Sequence, residues 1–323
     1  MNLSQPWLRW FSKLVIISTL GLIFAGALVK SHEVGLSVPD WPTTYGKHMF
    51  TFPFSEMVGG IFYEHLHRLI ATTIGILTIV LVVGLGLSNR PSWIKKMGYS
   101  ALGVVILQGM LGGITVLYFL PPIISIFHGM LAQGFLIMTI IIGYSLSKEG
   151  ENRESNNGEE NKQLIRPAFI LLIAVVVQLF LGALMRHTGS GLAIPDFPTI
   201  GGGWLPIFND YFLGHINDIM YENDMESVSI IQIWIHYIHR LGALAVTLIT
   251  VYFVTKVFKG NISNVKPSGI RLLILLIIQI TLGATSIWTF RDPIITSLHV
   301  VTGAGFLAMV SLTILRVIPI KLS

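Results

Sequence analysis

The most regular pattern in the chain is a succession of apolar runs about 20 residues long, separated by polar stretches. At about 1.5 Å per helical residue, each can cross a hydrocarbon layer roughly 30 Å thick. Eight membrane-spanning helices are predicted, over residues 11–30, 61–87, 98–119, 123–147, 167–186, 231–257, 270–290 and 294–317. The short alternating strands of a membrane β-barrel are absent from the sequence. The first run follows Arg9 and Lys13, as a signal peptide's would, but leads into Lys30-Ser-His-Glu with no small-x-small cleavage site. It is expected to be a retained first helix. No arginine-rich amphipathic presequence precedes it, so the expected location is a bacterial cell membrane rather than an organelle.

Composition agrees. Of 323 residues, 53% are hydrophobic and 11% charged, with mean hydropathy +0.73, against about 25% charged in soluble domains. A net charge of +5 and a pI near 9.4 do not point to nucleic acid here. In a membrane chain they reflect Lys and Arg gathered in cytoplasmic segments. With the N-terminus inside, the outer segments and spans keep six of the 21 basic residues: Lys30, Lys47, Arg68, Arg186, Arg240 and Arg291. An even number of spans then places both termini in the cytoplasm. Cysteine is absent, which excludes disulfides, iron–sulfur clusters, thiolate haem ligation and cysteine nucleophiles.

The chain repeats itself. Residues 26–43, GALVKSHEVGLSVPDWPT, align without gaps on 182–199, GALMRHTGSGLAIPDFPT, with nine of eighteen positions identical. His67-Arg68-Leu69 matches His239-Arg240-Leu241; Gln108, Leu111, Gly112 and His128 match Gln279, Leu282, Gly283 and His299. The expected fold is therefore an all-α integral membrane protein of two tandem pseudo-symmetric four-helix bundles, related by an axis along the membrane normal. Residues 1–147 and 167–323 form the halves, and the polar stretch 148–166 is read as a flexible cytoplasmic linker. Two longer loops, 31–60 and 187–230, lie outside. The second carries Asp196, Asp210, Asp218, Glu222, Asp224 and Glu226, read as solvated surface.

Ionisable residues inside membrane helices are costly and point to function. His67 sits about six residues into its span and His128 about five, roughly 8–10 Å below the outer boundary, and His239 and His299 are read as lying at equivalent depths in the second half. Two histidines at equal depth on two helices of one bundle can approach a flat ring from opposite faces, as bis-histidine haem ligation requires. A bare zinc or copper ion would call for further converging ligands. The plainer alternative is four buried histidines hydrogen-bonded across helices. Arg68 and Arg240 follow a histidine directly and suit either haem propionates or lipid phosphate. Three residues before His67 stands Glu64, where the second half has His236. A carboxylate on the ligand's face, present in one half only, suits acid/base chemistry; pairing with Arg68 at i+4 is the competing role. His65 and His236 are not read as ligands, because their duplicates are Tyr237 and Glu64. The loop motifs around Trp41 and Phe197 are read as lids over the two sites, with aromatic anchoring at the interface as the alternative.

These residues resemble the haem A synthase family over nearly the whole chain: eight spans, GLSVPDWP after the first, ExxHR (Glu64–Arg68) opening the second, and single histidines in the fourth, sixth and eighth. The resemblance implies a membrane oxidoreductase that oxidises a methyl group of haem O to a formyl group, through two hydroxylations and loss of water, giving haem A for terminal oxidases. It implies Glu64 as the catalytic carboxylate, His67 and His128 as ligands of the substrate haem, and His239 and His299 as ligands of a haem b cofactor. It further implies haem O synthase (protohaem farnesyltransferase) as a membrane partner; the apolar spans call for the lipid bilayer, and the sequence is compatible with a homo-oligomer. Some family members carry cysteine pairs in the outer loops; this chain resembles the cysteine-free branch. Two other functions fit parts of the pattern: a dihaem b-type quinol oxidoreductase subunit, and a haem transporter.

Overall fold

A computed structural model describes residues 6–151, 159–205, 208–260 and 265–318. In chain order its helices are α1 (Pro6–Ser31), α2 (Gly60–Gly86), α3 (Ser92–Leu117), α4 (Pro122–Ser145), α5 (Lys148–Glu151), α6 (Glu159–His187), α7 (Asp210–Glu222), α8 (Ile230–Lys259), α9 (Lys266–Trp288) and α10 (Pro293–Val317). All but α5 and α7 are long and apolar enough to cross a membrane, eight candidate spans among the described residues. The described residues contain no strand, only isolated bridges at Thr44–Lys47 and Ile200–Gly203. The protein is an all-helical, multi-pass membrane protein.

The helix ends follow from local chemistry. Asp292 accepts the N–H groups of Ile294 and Ile295 at the start of α10, and Pro293 has no N–H to satisfy. Ser229 and Gln232 cap each other's backbone at α8. Both α3 and α9 end on two residues with positive φ, Phe119-Leu120 and Phe290-Arg291. Helices α1 and α3 begin five or six residues before the expected spans. Hydropathy marks the hydrocarbon layer, whereas these helices run on through interfacial residues such as Trp7, Arg9, Lys95 and Lys96.

Packing closes two rings of four. Helix α1 touches α2, α2 touches α3, α3 touches α4, and α4 returns to α1; α6, α8, α9 and α10 close in the same order. Leu8, Val15, Ile74, Leu81 and Phe135 lie in the core of the first ring, and Leu171, Val175, Phe253, Leu272 and Leu307 in that of the second. Helices α1 and α4 meet α10, and α4 meets α6, along a seam filled by Leu136, Ile140, Tyr144, Ala304, Ala308 and Leu315. Lipid tails are as apolar as these side chains, so close van der Waals fit rather than exclusion of water holds the seam.

Two expectations are corrected outside the spans. The polar linker is not featureless: α5 is pinned by Glu151 to Arg9 and Arg90 and by Glu149 to Arg316, and α6 already begins at Glu159. Residues 152–158 of that linker lie outside the described residues. The acidic loop within 187–230 is not merely surface either. Asn209 caps α7, whose Ile216 and Met220 are buried against Leu192, Ile194, Ile200, Val228 and Ile233. The acidic residues had marked its wet face and hidden the apolar stripe at i, i+4.

Candidate functional site

Each of the four span histidines lies against a glycine on the next helix. A Cβ at Gly26 on α1 would stand 2.9 Å from His67 Cε1 on α2, and at Gly112 on α3 3.4 Å from His128 Cε1 on α4. The second ring repeats this: Gly182 on α6 at 3.3 Å from His239 on α8, and Gly283 on α9 at 3.1 Å from His299 on α10. At Gly26 an added Cβ would force the imidazole to shift, at Gly283 and Gly182 the contact would be tight, and at Gly112 it would be an ordinary van der Waals contact. His67 and His128 stand on α2 and α4 of the first ring, and His239 and His299 on α8 and α10 of the second.

The imidazole nitrogens are sparsely used. Nδ1 of both His67 and His128 is buried without a hydrogen-bond partner. Nδ1 of His299 lies 3.1 Å from the Gln279 carbonyl. That oxygen can only accept, so Nδ1 carries the proton and Nε2 keeps its lone pair. Gln178 Nε2 donates to the His239 carbonyl at 2.9 Å and lies 3.1 Å from its Nδ1; Gln108 Nε2 donates to the His128 carbonyl at 2.9 Å. Among the described residues no three His, Asp or Glu side chains converge as for a bare metal ion. Nε2 of His239 and Nε2 of His299 each lie 3.4 Å from the amide nitrogen of Gln178 and Gln279, respectively, a long contact; paired imidazoles so lightly held suit an iron that brings its own equatorial nitrogens.

Above each pair lies a latched loop. Glu64 is buried, accepting the Val38 N–H at 2.8 Å and an Arg68 N–H at 2.6 Å. In the second half His236, equally buried, occupies the same place: its Nδ1 lies 3.2 Å from the Ile194 nitrogen and its Nε2 3.2 Å from Arg240 Nε, and a neutral imidazole, with a single lone pair, accepts from one of these donors at a time. Val38 and Ile194 are aligned positions of the repeat. Arg68 also donates to the carbonyls of Val38, Asp40 and Thr43, and Arg240 to those of Ile194, Asp196 and Thr199. Both guanidinium groups bind protein carbonyls here. His65 supports the same loop through Thr44 at 3.0 Å and the Phe52 ring. This latch was missed in the sequence, although Glu64 and His236 sharing one repeat position pointed to it.

Asp40 turns its loop by accepting the N–H groups of Tyr45 and Gly46, at 2.8 and 2.9 Å, and the Thr43 hydroxyl. Asp196 does likewise with Gly201 and Gly202. Partial burial raises the pKa of each carboxyl, but these donors outweigh it and hold both below the ordinary carboxylate value. The peptide bonds Trp41–Pro42 and Phe197–Pro198 are both cis. The Trp41 indole rests on Gly113 of α3, where a Cβ would be 2.6 Å from it. Phe197 lies beneath the Arg240 guanidinium and beside Trp288.

A family model described as COX15-CtaA, cytochrome oxidase assembly protein, matches residues 9–311. The chain belongs to this family. Among COX15-CtaA relatives it is similar to proteins named Heme A synthase. That of Shewanella oneidensis is 25% identical over 300 residues, 87% of each chain. That of Rickettsia bellii is 25% identical over 329 residues, 90% of this chain and 92% of the relative. That of Lysinibacillus sphaericus is 27% identical over 241 residues, 72% and 74%. The resemblance drawn from GLSVPDWP, ExxHR and the span histidines holds over the COX15-CtaA chain as a whole.

Proposed function

We propose that this protein is a haem A synthase, a membrane oxidoreductase that takes haem O as substrate and converts one ring methyl to a formyl group. The observation that carries the reading is the twice-repeated pair of imidazoles, each seated on a glycine of the neighbouring helix, in a chain of the COX15-CtaA family. The two rings are tandem pseudo-symmetric halves, residues 1–147 and 167–323, supported by the recurrence of the His–Gly seat, the latch and the Asp turn. Positive residues in the connections support cytoplasmic termini and outward-facing loops. His67 and His128 hold the substrate haem and His239 and His299 a resident haem b, whose iron supplies one-electron chemistry when bound. Haem O synthase is the source of substrate within the same membrane.

Glu64 distinguishes the halves. In this proposal its carboxylate, one turn from His67, accepts a proton at the substrate's edge. Its equivalence to His236 in the latch favours a second reading, in which Glu64 only fastens the loop and the chain is a dihaem electron relay. Glu64→Gln separates them. The amide oxygen still accepts the Val38 N–H, but the group no longer takes a proton. A synthase should then keep its haem b and lose haem A formation, measured by mass identification of extracted porphyrins. Haem A formed at the wild-type level by Glu64→Gln would remove the carboxylate's acid/base role, and wild-type protein holding haem b alone would support the relay.

A further inference from the structure

Lys30 and Arg186 occupy the same position of the repeat, in GALVK and GALMR. Each follows by four residues the glycine that seats a histidine, Gly26 for His67 and Gly182 for His239. Residues i and i+4 share a helix face, so both cations stand on the imidazole-bearing face, about 6 Å nearer the loop end. Arg186 Nη2 donates to the Ala27 carbonyl at 2.5 Å and Ser31 Oγ at 2.8 Å on α1. Its Nη1 is shielded from solvent and has no partner. His299 lies in the field of Arg186, as Lys30 lies in the fields of Arg186 and Arg291 and His187 in those of Lys30 and Arg186.

Arg291 completes the group. Its backbone sits at φ +66°, a conformation L residues adopt reluctantly, and its side chain packs on Gly191. The acid acting on this group, Glu33, has a side chain 68% exposed and stands 3.5 Å from Arg291, too far out to neutralise the rest. Clustered cations around an orphaned, buried guanidinium nitrogen call for an anion from inside the bundle.

We propose that Arg186 anchors a ring carboxylate of the haem held by His239 and His299, and that Lys30 does the same in the first half. This rests on the histidine pairs being haem ligands. It assigns the carboxylates to the cations at the ends of α1 and α6, leaving Arg68 and Arg240 to hold the loops. A planar guanidinium with one free edge matches a carboxylate.

The test uses full-length protein in detergent, read by absorption spectrum, redox titration and haem loss to apomyoglobin. Removing a cation beside the haem favours the ferric state, so the midpoint potential should fall. Arg186→Gln should keep the bis-imidazole spectrum, lose haem b about tenfold faster, and shift its ferric-to-ferrous ratio about tenfold, which for one electron is about 59 mV. Arg186→Lys should recover most of both. Wild-type rates and potential in Arg186→Gln would overturn the proposal, as would unchanged haem with loss of bound anionic lipid. Should Arg186→Gln not accumulate, wild-type protein stripped of haem decides: haem b dimethyl ester should bind at least tenfold more weakly than haem b, and equal uptake refutes the anchor. If stripped protein rebinds haem b without a bis-imidazole spectrum, the histidine assignment fails instead.

Discussion

The glycine seats of the histidines permit a graded prediction. Gly26→Ala places a methyl 2.9 Å from His67 Cε1, whereas Gly112→Ala places one 3.4 Å from His128 Cε1. To regain the Gly112 spacing the His67 ring must withdraw by 0.5 Å, the difference of those two distances. The imidazole is the far end of a flexible side chain, so it yields without disturbing the backbone. Overpacking costs about 1–3 kcal/mol, while alanine in a helix interior gains about 0.8–1.0 kcal/mol over glycine. The net cost is about 0–2 kcal/mol, and the fold should survive. Ligand geometry is less forgiving, since productive constellations tolerate about 0.5 Å. Gly26→Ala should therefore melt within a few degrees of wild type yet retain about tenfold less haem in the first half, the equivalent of about 1.4 kcal/mol. Gly112→Ala should retain its haem. Gly283→Ala at 3.1 Å and Gly182→Ala at 3.3 Å should fall between, in that order. Porphyrin extracted per mole of purified protein, with thermal melting alongside, gives the ranking. Equal haem in Gly26→Ala and Gly112→Ala would refute the seat, as would a Gly26→Ala chain that simply unfolds.

Arg68→Gln should free the first loop while leaving the second latched: trypsin should cut at Lys47 faster, whereas Arg240→Gln, whose loop 187–230 holds no Lys or Arg, should leave cleavage at Lys47 as in wild type; unchanged cleavage in Arg68→Gln would show the latch to be idle. The Asp40 carboxyl, held below 3.8, contributes stability that is fully present above that ordinary value and disappears as pH falls through the lower folded value. Trp41 fluorescence should thus be flat from about pH 8 to 5 and change only below the ordinary carboxylate range, with Asp40→Asn removing the acid step; a transition between pH 5 and 7 would contradict it. Glu151→Ala deprives Arg9 and Arg90 of a shared partner. Partly exposed pairs of this kind contribute about 0–1 kcal/mol each, so melting should fall by a few degrees, with the difference from wild type shrinking as salt is added.

The eight spans were legible because length and apolarity decide membrane crossing before any packing is known. The four histidines stood out too, since an imidazole in a span requires a reason and the repeat supplied candidate pairs. Their seats were half visible: Gly26 and Gly182 lie in the aligned segment, but only three-dimensional packing shows which ring each receives. Arg68 and Arg240 were harder. A guanidinium beside a ligand suits an anion equally well as a backbone carbonyl, and only the fold shows that Val38, Asp40 and Thr43 turn their oxygens toward Arg68. Arg186 was visible merely as a basic residue left outside, because its orphaned nitrogen depends on α1 offering Ala27 and Ser31 to the other one. Helix α7 escaped because its acidic residues outnumber the two that anchor it.

The exchange of glutamate for histidine beneath the loops bears on how two copies of one module could part ways. Holding the loop requires a side chain that accepts from the backbone N–H of Val38 or Ile194 or from the arginine one turn on; a carboxylate accepts both at once and an imidazole one at a time, yet both loops keep the same arginine–carbonyl bonds. Neither copy had to lose its shape while the position changed hands. A substitution silent to architecture is thereby open to reactivity: one half carries an acid at this position and the other an imidazole.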